Sequence, residues 1–218
     1  MATDLTELQT RMEAVIGQSV STTEGDDDWN LRRSFLNRAQ KVWSERYDWS
    51  QLLVEKNQLT SLDSAATVGL PTDFRKMAGE LQFGTTRLNQ IDPTERKRFG
   101  ISDGYYYVLG EPSNGYNAVV NPGTLASGTS IFYQYYRNPT SLVSGSDVSL
   151  CPNPDYLIQQ GLYFYFLANE DERFQDARAE AERILANMLE FENVKSSSYH
   201  NEVLNVDETK YGHRWGRD

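Results

Sequence analysis

The stretch IFYQYYRNP, residues 131–139, decides the fold: four aromatic rings fall within six positions, and an Asn-Pro pair then ends the run. On a β-strand, successive side chains point to opposite faces. Phe132 and Tyr136 would then lie on one side and Tyr133 and Tyr135 on the other, and both sides need cover. A sheet packed on two sides meets that need. So does a sheet packed on one side and docked against a neighbouring subunit.

The surrounding sequence is of the same kind from Trp49 to about Leu150. AGELQF, TRLNQI, YYYVLG, NAVV and SIFYQYY are short, rich in β-formers and separated by Gly, Pro, Asn and Ser. They predict five to seven antiparallel strands in a small sandwich or barrel-like sheet. Within IDPTERKRF, Asp92 is placed to cap a short helical turn that has Pro93 at its first position.

Helical patterns flank this region. Leu5, Leu8, Met12, Val15 and Ile16 share one face of a first helix, and Asp4 and Glu7 have capping-box spacing with Asp in place of Ser or Thr. After the polar link STTEGDDDWN, Asp26, Asp27 and Asp28 suit the start of a second helix, about 28–47. Its expected buried face is Leu31, Phe35, Ala39 and Val42, with Leu36, Trp43 and Tyr47 alongside. Asn153 and Pro154 open a third helix whose body, YLIQQGLYFYFLAN, is apolar almost all round. Such a helix is buried centrally or shared with a partner. A fourth helix, about 171–194, is amphipathic through Phe174, Ala177, Ala181, Ile184, Leu185, Met188 and Phe191. The tail beyond it has no sustained period. The fold class expected is α+β: a four-helix bundle of two N-terminal and two C-terminal helices, an inserted antiparallel β domain and an extended C-terminal arm. The expected boundaries are 1–48, 49–150, 151–195 and 196–218.

The 218 residues carry 21 basic and 31 acidic side chains, a net charge of -10. That balance argues against a nucleic-acid grip, which needs a basic stripe to displace counterions. The single cysteine, Cys151, lacks a CxxC partner or a nearby His, and reads as a small residue in a turn of a protein kept in reducing surroundings. No apolar run reaches the ~18 residues of a membrane span, and MATDLTELQ lacks the pattern of a signal peptide. The expected place of assembly is therefore the cytoplasm of the cell that makes the protein.

Nucleotide and hydrolase motifs are missing: there is no GxxxxGK[ST], GxGxxG or GxSxG. His200 and His213 match neither HExxH nor a zinc ligand pair, and the folded body offers no histidine to activate a nucleophile. Paired carboxylates could serve a glycosidase, but the acidic residues mostly sit in helix-favouring runs such as NEDERFQDARAEAER. Neither an enzyme nor a cofactor is expected. The tyrosines of DGYYYVLG and IFYQYYR could stack on bases or sugars, contact a protein, or pack a core.

In order along the chain come KVWSERYDWSQL, VGLPTDFRKM, LNQIDPTERKRFG, GYYYVLG and IFYQYYRNPTSL, followed by the acidic-aliphatic helix pair. This series resembles the head-to-tail adaptor proteins of tailed bacteriophages, in particular the podovirus type called tail tubular protein A. The LP-x-D-F turn falls at Leu70–Phe74 and the YYR-x-P strand end at Tyr135–Pro139. The resemblance covers about residues 28–195. It implies a virion protein of the neck, forming a ring of commonly twelve copies below the portal protein, with a tail or nozzle protein beneath. Genomic DNA would pass through the ring without specific binding, and twelve copies at -10 each carry -120 formal charges that would repel its phosphates. The C-terminal segment would dock on the portal, which singles out Tyr199, Tyr211, His213, Arg214, Trp215 and Arg217, a mix rich in interface residue types. Tyr105, Tyr106, Phe132, Tyr133, Tyr135 and Tyr136 are the expected contacts between subunits or with the tail. The alternatives are a carbohydrate-binding or cell-wall-degrading tail component, and a neck or stopper protein lower in the same channel.

Overall fold

The computed structural model describes residues 3–17, 23–59, 67–99, 104–121 and 130–211, with the backbone alone at 58–59 and 194–211. Two compact units emerge, one from residues 1–47 with 141–218 and one from 48–140. The first is helical and the second is a β-sheet.

In the helical unit, α1 (Leu5–Ile16) starts at Asp4, whose carboxylate accepts the Glu7 backbone N–H at 2.8 Å. α2 (Asp27–Arg46) buries Trp29, Leu36, Ala39 and Trp43, together with Arg32, Gln40 and Ser44. The face expected from sequence is therefore rotated. Leu31 is 44% exposed, and Phe35 and Val42 are only half-buried. The two indoles explain this, because each removes more apolar surface from water than an aliphatic side chain can, and α2 turns to put both inside.

α3 (Pro154–Ala168) begins as read, with the Asn153 side chain accepting the Asp155 N–H and Pro154 in the first turn. It packs against α1, α2 and α4 (Phe174–Tyr211). Tyr156, Leu157, Ile158, Leu162, Phe164 and Phe166 are all buried. Gly161 permits the closest approach, since a Cβ there would lie 3.2 Å from Met12 Sδ and 3.4 Å from Leu36 Cδ2. At the rim the guanidinium groups of Arg38 and Arg173 stack 4.1 and 4.3 Å over Phe164 and Phe166. The rings of α3 are thus largely satisfied inside the chain itself.

α4 differs from its sequence reading. The amphipathic pattern fades near 194, yet the backbone stays helical to Tyr211. At 1.5 Å per residue its 38 residues span ~57 Å, against ~22 Å for the 15 of α3. Its last turns therefore outrun α3, and no apolar stripe was there to announce them. None of the described helices is long and apolar enough to cross a membrane.

The β unit is one seven-stranded sheet: β1 (Leu53–Leu59), β2 (Thr67–Gly69), β3 (Phe74–Phe83), β4 (Thr86–Gln90), β5 (Tyr105–Glu111), β6 (Gly115–Asn121) and β7 (Ser130–Arg137), in the order β1-β7-β3-β4-β5-β6-β2. It curls around a single core that includes Phe74, Leu81, Leu88, Tyr106, Val120 and Tyr133. All pairs are antiparallel except β4–β5, which is parallel. That exception corrects the all-antiparallel expectation and has a local cause. The 3₁₀ turn Pro93–Arg98, capped by Asp92 through the Thr94 N–H at 2.8 Å, belongs to a crossover too long for a hairpin.

Candidate assembly surfaces

β7 divides its rings by parity. Ile131, Tyr133 and Tyr135 point into the core, at 0, 0 and 4% exposure, whereas Phe132 is 36% exposed and Tyr136 half-buried. Tyr106 of β5 is also fully buried. The contact role expected for Tyr106, Tyr133 and Tyr135 is therefore corrected: their rings pack the chain's own core. Alternation with the aliphatic Ile131 was the signal that could have sorted them. Burial pushes the Tyr106, Tyr133 and Tyr135 hydroxyls up to about 12, assisted by the charge of Glu80 at Tyr106 and of Asp73 at the other two.

These hydroxyls still have work inside the sheet. Five residues of β3, from Met77 to Leu81, run beside only three of β7, from Tyr135 to Tyr133, so β3 bulges. Gly79, at φ 148, supplies a conformation that side-chain-bearing residues avoid, and Tyr106 donates to its carbonyl at 2.6 Å. Tyr135 donates to Asp73 Oδ1 at 3.0 Å, and the Asn138 N–H donates to the Asp73 carbonyl at 2.7 Å. The LPTDF turn and the YYRNP strand end thus meet in space. Sequence reading gave Asp73 no role; in the fold its carboxylate holds the end of β7.

On the outer face, Phe132, Gln134 and Tyr136 lie opposite Asn57, Glu55 and Leu53 of β1. Gln134 donates to Glu55 at 2.8 Å, and Leu53 is 38% exposed. The Tyr136 ring has the Arg75 guanidinium 5.7 Å and Lys76 Nζ 5.5 Å from its centre, and both cations also pair with Asp48. Tyr105 is half-buried and stacks on Phe99, centroids 5.5 Å apart, with Phe99 itself 39% exposed.

Charge is unevenly shared between the units. Residues 48–140 hold nine acidic and eight basic side chains, a balance of -1. The remaining 22 acidic and 13 basic residues give the helical unit -9. One groove in that unit, about 330 Å³, is lined by Arg11, Val15, Asp155, Ile158, Glu180 and Arg183. Its arginines are already paired, Arg11 with Asp155 and Arg183 with Glu180.

Cys151 is buried, and its thiol is pushed up to about 12 by that burial, which leaves it unreactive. No group of three or more metal-ligating side chains occurs among the described residues. Tyr199 and Tyr211 lie on the helical backbone of α4, while His213, Arg214, Trp215 and Arg217 fall outside the described residues.

The chain belongs to the SU10 adaptor protein family, whose model matches residues 3–203. It is accordingly a phage structural adaptor and a component of the virion. No curated protein matches it.

Proposed function

We propose that this protein is the head-to-tail adaptor of a tailed phage, acting without catalysis. On this reading it forms a ring, with twelve copies the expected number, below the portal protein. The ring joins capsid to tail and surrounds the channel through which the genome is packaged, retained and ejected. The family match over residues 3–203 carries the proposal. The four helices would act as a bundle in the body of the ring, and the podovirus type, with a tail or nozzle protein beneath, is the form the motif order favours. The C-terminal arm, with Tyr199, Tyr211, His213, Arg214, Trp215 and Arg217, would dock on the portal. An acidic wall would repel the phosphate backbone, so that DNA slides instead of sticking.

Electron microscopy of the full chain mixed with portal protein tests the reading. Rings stacked on portals are expected, and free chains beside bare portals would refute it. Removing residues 200–218 should abolish attachment while far-ultraviolet circular dichroism stays that of a folded α+β protein. Attachment by the shortened chain would remove the arm from the proposal and leave the ring in place.

A further inference from the structure

The β unit presents two cations and a partly exposed ring close together in sequence, of which only the ring is paired among the described residues, with Tyr105. Asp92 fixes the turn Pro93–Arg98, and within it Glu95 pairs with Arg98 at 2.9 Å. That leaves Arg96 and Lys97 exposed and without a partner among the described residues, next to the partly exposed Phe99. Two cations and a phenyl edge, set on a capped turn, make a preorganised surface. Its complement occurs on the same chain. The first turn of α2 exposes Asp27 and Asp28, also without partners among the described residues, and Leu31 lies one helical turn away with 44% of its surface in water. Positions 27 and 28 are four and three residues before 31, so all three share a face. The positive end of the helix dipole accounts for acids at an N-terminus; it does not account for an exposed leucine beside them.

We propose that the Arg96–Lys97–Phe99 patch of one copy docks on the Asp27–Asp28–Leu31 face of a second copy. Two charges would meet two opposite charges, and an aromatic edge would cover an aliphatic side chain. Since the two patches are different surfaces, the contact is heterologous, the type that closes into rings when the rotation between neighbours allows it. It rests on the ring reading above and gives that ring its adhesive faces. Asp171 is engaged with Arg173 and Glu182 with Arg46, while Glu172, Asp176 and Glu190 are also exposed. The start of α2 is the better match because it sets two adjacent exposed acids beside an exposed leucine.

The test is a charge swap in the full chain, scored as ring assembly on portal protein. R96E with K97E should lower assembly about tenfold or more, as should D27K with D28K. Combining all four substitutions should restore it. Assembly by either pair at the wild-type level would overturn the docking while leaving the ring reading intact. A wild-type chain that never assembles would sink both. Rescue of R96E and K97E by lysines at Glu172 and Asp176, and not at Asp27 and Asp28, would also overturn it by moving the acidic partner. As a second readout, K97C mixed with D28C should give a disulfide-linked pair of chains upon assembly, because buried Cys151 does not compete. No crosslink in assembled rings counts against the contact.

Discussion

The helical unit and the β unit handle aromatic side chains in opposite ways. Around α3, Tyr156, Phe164 and Phe166 are enclosed by three neighbouring helices of the same chain. Tyr163 and Tyr165 are half-buried, and cations lie over Phe164 and Phe166 at the rim. In β7 the two-residue period forces a division, so that Tyr133 and Tyr135 build the core while Phe132 and Tyr136 face outward. Aromatic content alone therefore says little about where a protein meets its partners. The greasy α3, which the sequence marks as buried centrally or shared with a partner, is mostly buried within one copy, with Leu167 the apolar residue it leaves exposed. The half-open outer face of β7 is not.

The largest effects should come from breaking the enclosed side of this contrast. Trp43→Ala or Leu162→Ala removes a fully buried side chain from the helical unit and should cost about 2–5 kcal/mol, measured by urea unfolding followed at a helix signal. Raising the pH acts on both units, through Tyr106, Tyr133 and Tyr135 in the sheet and through Cys151 and Tyr156, both raised by burial, among the helices. Tyr106, Tyr133 and Tyr135 keep their protons in the folded state up to about 12, against 10.0 ordinarily. The folded state holds these protons more tightly, so the stability they lend is complete below about 10 and is lost as pH rises from there through 12. A tyrosinate absorbance titration should show these rings ionising only together with loss of sheet structure. Early ionisation without unfolding would contradict their burial.

Smaller still is Tyr106→Phe, which leaves the ring in place and takes away the hydrogen bond to Gly79. A loss of about 0.5–1.5 kcal/mol is expected, the net worth of one hydrogen bond, because water can reach the exposed Gly79 in its place. Tyr135→Phe should fall in the same range through Asp73. Phe132→Ser, on the outer face, should change stability by no more than about 0.5 kcal/mol and weaken assembly instead. That split between folding and assembly is the sharpest form of the contrast.

Much of this was legible in the sequence, for identifiable reasons. Caps write themselves locally, and Asp4, Asp92, Asn153 and Pro154 do what their spacing says. Alternation and short runs announce strands, so β3 to β7 fall where the pattern puts them. Other features depend on contacts that no local pattern encodes. The face of α2 was set by the bulk of Trp29 and Trp43 and not by the aliphatic stripe. The parallel β4–β5 pair came from a crossover whose path is tertiary. The helical run of α4 past 194 had no apolar period to reveal it. For the candidate surfaces, residue type drew attention to β7, and only burial could divide it into core and exterior.

Hydroxyl-radical footprinting of the free chain and of the chain assembled on portal protein puts this division to the most direct test. Phe99 and Phe132 should be labelled in the free chain and protected after assembly, with Tyr106 and Tyr133 unlabelled in both. Equal labelling of Phe99 and Phe132 in the two states, or strong labelling of Tyr133 in the free chain, would contradict it.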